Sequence, residues 1–271
     1  MHCWIDGQEA TAVNLQNRGL AYGDGLFETI AVHGGKPSLL TRHLDRLALG
    51  CQRLAIDVDL TLVCNELLQF AQLLGEGVAK LILTRGDSQR GYAPAPVAQA
   101  RRILQGSPLP VYPEQHAELG VRLFPCQTRL AEQPLLAGLK HLNRLEQVLA
   151  RAEWQDSAYA EGLMRDSQGR VIEGVYSNLF LVRGKVLLTA DLSRCGVAGV
   201  MRGALLEQAP LSGLAVEVRD LTLEDLQQAD EVFVCNSVYG IWPVREFAAL
   251  NWPAGPLTRK LQAVARTLLD T

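Results

Sequence analysis

The chain has little net charge: 26 Lys and Arg stand against 29 Asp and Glu, a formal charge of −3 at pH 7. Without a global positive field there is no electrostatic basis for holding a nucleic-acid backbone or an anionic membrane, so any anion site must be local. Long apolar runs are also missing. The longest stretch without Asp, Glu, Lys or Arg covers residues 232–244 and is interrupted by Asn236, Ser237, Gly240 and Pro243. A membrane helix needs roughly 20 apolar residues, so no transmembrane segment is expected. The opening residues, Met1-His2-Cys3-Trp4-Ile5-Asp6, lack the basic region and apolar run of a secretory signal, which points to a cytoplasmic protein. Cys3, Cys51, Cys64, Cys126, Cys195 and Cys235 are scattered with no C-x-x-C pair, so neither disulfides nor a zinc cluster is expected. What is present is core-forming material: 48% of the 271 residues are hydrophobic and 20% charged. That balance excludes disorder as the main state and suits one large or two modest domains.

Strand and turn signals alternate with amphipathic helices. Strands are predicted over residues 3–5 and 27–32, each followed by a glycine turn, Asp6-Gly7 and Gly34-Gly35. Leu40, Leu44, Leu47, Cys51 and Leu54 form one helical stripe, and Val63, Leu67, Phe70 and Leu74 a second. Strands over 78–84 and 101–104 follow. Pro108, Pro110 and Pro113 then suppress regular structure, placing a domain boundary that divides the chain into 1–108 and 109–271. In the second part a strand at 121–124 precedes a helix at 143–154, with Leu142, Leu145, Leu149 and Ala152 on one face. Four short strands at 159–164, 171–173, 179–182 and 186–189 read as an antiparallel meander. A helix at 200–208, strands at 216–219 and 231–235, and a terminal helix through Leu257, Leu261, Val264 and Leu268 complete an α+β reading.

Several familiar motifs fail. Gly23-Asp24-Gly25 lacks the third glycine of a dinucleotide fingerprint and leads into a strand. Gly86-Asp87-Ser88-Gln89-Arg90 misses a nucleophile elbow by its last residue, and Gly34-Gly35-Lys36 runs into Pro37 where a P-loop would start a helix. The five histidines are isolated, so no metal site is expected. Lysine usage says more, because only five of the 26 basic residues are Lys. Lys36 and Lys185 fall in hairpin turns, Lys80 in a strand and Lys260 in a helix, whereas Lys140 ends the apolar loop Pro134-Leu135-Leu136-Ala137-Gly138-Leu139. Partial burial there would favour the neutral amine that attacks an aldehyde carbon, although a solvated lysine with a buried stem fits the same pattern. Glu173 closes a short strand and reads equally as a surface charge. Gly196-Val197-Ala198-Gly199-Val200-Met201-Arg202 is either a tight turn or a helix entry whose free N–H groups hold a phosphate.

In this order, Lys140-x-x-Asn143-Arg144, Glu173-Gly174 with Ser177-Asn178-Leu179-Phe180, and Gly196 to Arg202 resemble the fold-type IV pyridoxal phosphate enzymes. That family contains branched-chain aminotransferases, D-amino acid aminotransferases and aminodeoxychorismate lyases. The likeness extends through Arg18-Gly19-Leu20-Ala21-Tyr22-Gly23-Asp24-Gly25-Leu26-Phe27-Glu28, His43-Leu44-Asp45-Arg46-Leu47 and Asp230-Glu231-Val232-Phe233-Val234. Leu139-Lys140-His141-Leu142-Asn143-Arg144-Leu145-Glu146-Gln147 and Thr84-Arg85-Gly86 with Arg90-Gly91-Tyr92 resemble the aminodeoxychorismate lyases most.

The resemblance implies a two-domain α+β fold with pyridoxal 5'-phosphate in the cleft between domains. It matches Lys140 to the lysine that bonds the cofactor and Glu173 to the acid facing its pyridine nitrogen, where a carboxylate keeps that nitrogen protonated. Arg46 matches the phosphate-binding arginine; Val200 and Met201 match the backbone N–H donors to phosphate. Ser237 matches a hydroxyl position, although Asn236-Ser237 replaces the Gly-Thr of many aminotransferases. Arg90, Tyr92 and Thr29 are candidates for contact with a small dianionic substrate. The implied activity is conversion of 4-amino-4-deoxychorismate to 4-aminobenzoate and pyruvate, by a cytoplasmic homodimer. The alternatives are an aminotransferase on the same fold or a non-catalytic pyridoxal phosphate-binding protein.

Overall fold

The computed structural model describes residues 2–95 and 98–270. They form two compact units. The first runs through Pro110 and takes back Leu139–Asn143; the second comprises Val111–Gly138 and Arg144–Leu269. A single cut after residue 108 therefore misplaces the Lys140 segment. Phe27 donates its N–H to the Lys140 carbonyl at 2.9 Å and Leu142 donates to the Gly25 carbonyl at 3.0 Å, which fastens that segment to a strand of the first unit.

The first unit contains β1 (Cys3–Ile5), β2 (Gln8–Glu9), α1 (Arg18–Tyr22), β3 (Gly25–His33), β4 (Lys36–Pro37), α2 (Leu40–Leu54), α3 (Leu60–Leu74), β5 (Gly77–Thr84) and β6 (Arg101–Ser107). Its six-stranded sheet has the order β2-β1-β6-β5-β3-β4, with antiparallel pairing throughout. Strand alternation places Leu26, Ile30 and Val32 of β3 with Leu81 and Leu83 of β5 in a core that receives Leu47 of α2 and Leu67 and Phe70 of α3. Each such buried side chain contributes roughly 1.5–3 kcal/mol. Helix α3 starts where the Asp59 side chain accepts from the N–H groups of Thr61 and Leu62, at 2.8 and 3.1 Å.

The second unit contains α4 (Gln115–Glu118), β7 (Val121–Leu130), α5 (Leu145–Ala152), β8 (Tyr159–Asp166), β9 (Val171–Gly174), β10 (Asn178–Arg183), β11 (Val186–Ala190), α6 (Val200–Leu211), β12 (Ala215–Arg219), α7 (Leu223–Gln227), β13 (Glu231–Asn236), β14 (Gly240–Phe247), β15 (Leu250–Asn251) and α8 (Pro256–Leu269). The sheet runs β12-β11-β10-β13-β14-β7-β8-β9, and Asn178↔Glu173 pairs β9 back onto β10. Six strands thus close into a ring around Leu123, Leu163, Leu179, Val232 and Val234. The expected meander is present in β8 to β11, each pair antiparallel.

Two expectations change. Strand β7 continues past Phe124 to Leu130 because a register shift against β8 accommodates Pro125, which has no N–H for the ladder. Helix α5 starts at Leu145, and its apolar stripe is not packed within the chain: Leu145 is 76% exposed, and Val148 and Leu149 are each 60% exposed.

Candidate active site

In the first unit the chemistry gathers on the two faces of β3. Phe27 and Thr29 are half-buried and alternate with buried Leu26, Glu28 and Ile30, so they share one face. Lys140 is half-buried, with Nζ 4.4 Å from the centre of the Phe27 ring, a cation–π distance. The strap that carries it is tied at both ends: His141 bridges Leu26, and Asn143 Nδ2 donates to the Gly23 carbonyl at 3.1 Å. Lys140 is therefore held by backbone bonds while its amine remains on an aromatic face.

On the opposite face, Glu28 is almost wholly buried and meets two groups from α2. His43 Nδ1 is 2.6 Å from Glu28 Oε2, Arg46 Nε donates to Oε1 at 2.9 Å, and a second Arg46 nitrogen donates to Oε2. Burial opposes the Glu28 charge, but Arg46 and His43 outweigh it and pull its pKa down to about 2. His43 is pushed below its ordinary value chiefly by burial, against the pull of Glu28 and with the charges of Arg46 and Lys140 adding to the effect. Its Nε2 is buried without a hydrogen-bond partner among the described residues. Glu28 and His43 were named in the sequence only as parts of longer motifs. The i, i+3 spacing of His43 and Arg46 on α2 was the signal that they share a partner.

In the second unit, Glu173 at the end of β9 is buried. Its Oε2 accepts from the Val197 N–H at 2.8 Å and from Asn178 Nδ2 at 3.5 Å, while Asn178 Nδ2 also donates to the Val197 carbonyl at 2.8 Å. Gly196, with φ +83, makes the turn that brings Val197 there. Helix α6 begins at Gly199, which has no side-chain cap, and a Cβ on Gly199 would lie 2.0 Å from Asn178 Oδ1. The first turn of a twelve-residue helix is thus left with the N–H groups of Val200 and Met201 unmatched by any capping side chain. Asn178 links the two features, since it touches both Glu173 and the start of α6; sequence reading gave it no role.

Arg144 and Arg202 add positive charge to this unit. Burial pushes both guanidinium pKa values down, and the Glu173 carboxylate pulls each back. Arg202 donates to the Ala190 carbonyl at 2.9 Å. Ser237 is half-buried in the turn joining β13 to β14.

Arg90 and Tyr92 belong to the first unit. Both are exposed, on the segment after β5, and the neighbours of that segment are Arg18 and Tyr22 of α1. Among the described residues there is no group of His, Cys, Asp and Glu able to hold a metal ion, and no helix is long and apolar enough to cross a membrane.

A buried carboxylate presented by Val197 and Asn178, together with an uncapped helix start, fits a ligand that joins a protonated ring nitrogen to an anionic group. Comparison with known proteins agrees with that chemistry. The amino-transferase class IV family model matches residues 25–247, and the chain belongs to that family. It is 38% identical to an aminodeoxychorismate lyase of Vibrio harveyi, over 97% of this chain and 99% of the relative. It is 28% identical to a D-alanine aminotransferase of Bacillus licheniformis, over 93% and 89% respectively. The crystal structure of 4-amino-4-deoxychorismate lyase from Pseudomonas aeruginosa superposes with a TM-score of 0.97 at 60% identity, covering 99% of this chain and all of that one. The fold is that of the fold-type IV enzymes, and pyridoxal 5'-phosphate is the cofactor.

Proposed function

We propose that this protein is a pyridoxal phosphate-dependent lyase that converts 4-amino-4-deoxychorismate to 4-aminobenzoate and pyruvate, a step toward folate. The similarity to the two lyases, over nearly the whole of each chain, carries this reading. It also favours an enzyme over a binding protein, because Glu173 is a buried acid of the kind that tunes a ring nitrogen.

Lys140, Arg46, Glu173, Val200, Met201 and Ser237 are the residues that would hold the cofactor. Lys140 Nζ would form the covalent bond, Arg46 and the N–H groups of Val200 and Met201 would meet the phosphate, and Glu173 would face the pyridine nitrogen. When bound, the cofactor supplies an electron sink for the pair released as a C–H bond breaks. Once the substrate's amine takes its place, the freed Lys140 Nζ would take the proton from the substrate carbon that bears the amine, and the same atom would return it to the departing enolpyruvate. The C–O bond to the enolpyruvyl group breaks as the ring becomes aromatic, and aromatisation drives the step. Amine and carbon skeleton are conserved, so no keto acid co-substrate is needed. Arg90, Tyr92 and Thr29 would supply charge and hydroxyl groups to the substrate's two carboxylates.

The exposed Leu145, Val148 and Leu149 of α5 support a homodimer, since an apolar helix face of this kind is normally covered. The dimer would act in the cytoplasm. A D-amino acid aminotransferase is the second reading, favoured by the likeness to the Bacillus licheniformis enzyme. Purified holoenzyme given 4-amino-4-deoxychorismate alone should release 4-aminobenzoate and pyruvate in equal amounts. Turnover that required an added keto acid would favour the aminotransferase.

A further inference from the structure

The segment that carries Arg90 and Tyr92 combines a tightly held backbone with polar side-chain ends that face outward. Arg18 is only 4% exposed, and all three of its guanidinium nitrogens donate hydrogen bonds. Nε donates to Asp24 Oδ2 at 2.7 Å; one terminal nitrogen donates to Ser88 Oγ and the Gly91 carbonyl, each at 3.1 Å; the other donates to the Tyr92 carbonyl at 2.8 Å. The Tyr22 hydroxyl accepts from the Gly91 N–H at 3.0 Å, and its ring lies 5.4 Å from that of Tyr92. Gly91 has φ +116, a conformation that favours glycine. Asp24 is fixed in turn by Arg85, whose Nε donates to the same Oδ2 at 2.8 Å and whose other nitrogens donate to the Leu54 and Ala55 carbonyls. Burial raises the Asp24 pKa, but the two arginines outweigh it and hold it below the usual value.

By contrast, the Arg90 side chain and the Tyr92 hydroxyl make no hydrogen bond or ion pair with the described residues, and Tyr92 is 86% exposed. Ordering a surface segment costs about 1–2 kcal/mol of backbone entropy per residue. A buried arginine devoted to that ordering is unexplained by the fold core, because the segment adds no buried apolar side chain between Arg85 and Tyr92.

We propose that Arg18 is a positioning residue for substrate selection: with Tyr22 it pre-sets the backbone of Arg90-Gly91-Tyr92 so that a guanidinium and a phenol are presented together to a carboxylate of the substrate. This rests on the reading of Arg90 as a substrate contact. Its physical content is pre-organisation: the loop is ordered on folding, so the ordering cost does not fall on binding. Lysine cannot replace arginine here, since one ammonium cannot serve Asp24 Oδ2 and two backbone carbonyls from a fixed planar fork.

The test uses holoenzyme with Arg18→Lys, Tyr22→Phe and Arg90→Ala. Arg18→Lys should raise KM for 4-amino-4-deoxychorismate about tenfold and Tyr22→Phe about threefold, with kcat and cofactor absorbance kept, as expected for lost charge-assisted and neutral hydrogen bonds. Brief trypsin treatment should newly cut both variants after Arg90, which the held backbone protects in the parent. Arg90→Ala should raise KM at least as much as Arg18→Lys. If Arg90→Ala raises KM while Arg18→Lys and Tyr22→Phe do not, the positioning role is wrong and the substrate contact stands. If Arg90→Ala leaves kcat/KM unchanged, the substrate contact fails and the inference with it. A parallel fall of kcat, cofactor absorbance and melting temperature in Tyr22→Phe would mark a merely structural role and also overturn it.

Discussion

Glu28 of the first unit and Glu161 of the second are both buried, and they are stabilised in opposite ways. Glu28 of the first unit is 2% exposed and faces His43 and Arg46, which pull its pKa down to about 2. Glu161 of the second unit is fully buried and meets the Gly162, Val175 and Tyr176 N–H groups and the Ser177 hydroxyl, without an ion pair among the described residues. Burial raises its pKa to about 7, and these hydrogen bonds offset only part of that rise. Equal burial thus yields opposite shifts, and the neighbours decide the sign. Glu28 is held by full charges, Glu161 by N–H and hydroxyl dipoles. Among the proposed cofactor residues, Lys140 and Arg46 belong to the first unit, while Glu173, held by the Val197 N–H, and the first turn of α6 belong to the second.

The largest expected effect comes from removing the first unit's amine. Lys140→Ala should abolish turnover and the cofactor's visible absorption, and borohydride reduction of the parent followed by peptide mapping should label Lys140. Label on Lys80 or Lys185 would break the assignment. Next, Glu173→Gln should keep cofactor but lose about 10²-fold or more in turnover, because a neutral amide cannot hold the ring nitrogen protonated. Arg46→Ala should chiefly weaken cofactor affinity; equal effects of the two on kcat at saturating cofactor would erase the distinction between the units.

A smaller effect should separate the two glutamates by pH. Glu28 has a folded pKa below the unfolded value, so its stabilisation is present above about 4.5 and is lost as pH falls toward 2. Glu161 has a folded pKa above the unfolded value, so its contribution is complete below about 4.5 and is lost as pH rises through 7. Each shift corresponds to about 3 kcal/mol at most. Melting curves between pH 3 and 9 should show Glu28→Gln flattening the acid limb and Glu161→Gln flattening the fall from pH 5 to 8. The reverse pattern would contradict the comparison. Light scattering should show a dimer, and Leu149→Asp on α5 should weaken it; an active monomer would remove the reading of that helix face.

Where residues alternate or repeat in register, the fold was legible: the stripes of α2 and α3 and the strands β8 to β11 lie where periodicity put them. Strand β14 was hidden because Pro243 and Gly240 argue against an interior strand; it persists because a register shift next to Val244 absorbs the irregularity between β13 and β7. Helix α1 has five residues, too few for a period, and depends on its caps, the Asn17 side chain and Gly23 at φ +63. In the candidate site, Lys140 stood out because few lysines compete with it. Glu28, His43 and Arg18 did not, since a charged residue destined for a buried pair looks in sequence like one destined for the surface.

The central claim is that the substrate's amine stays with its ring. Incubating holoenzyme with 4-amino-4-deoxychorismate labelled with ¹⁵N at the 4-amino group, in the presence of a keto acid, tests it directly. The account predicts that all of the label leaves in 4-aminobenzoate, with one pyruvate per ring; label recovered in the amino acid formed from the keto acid would contradict it.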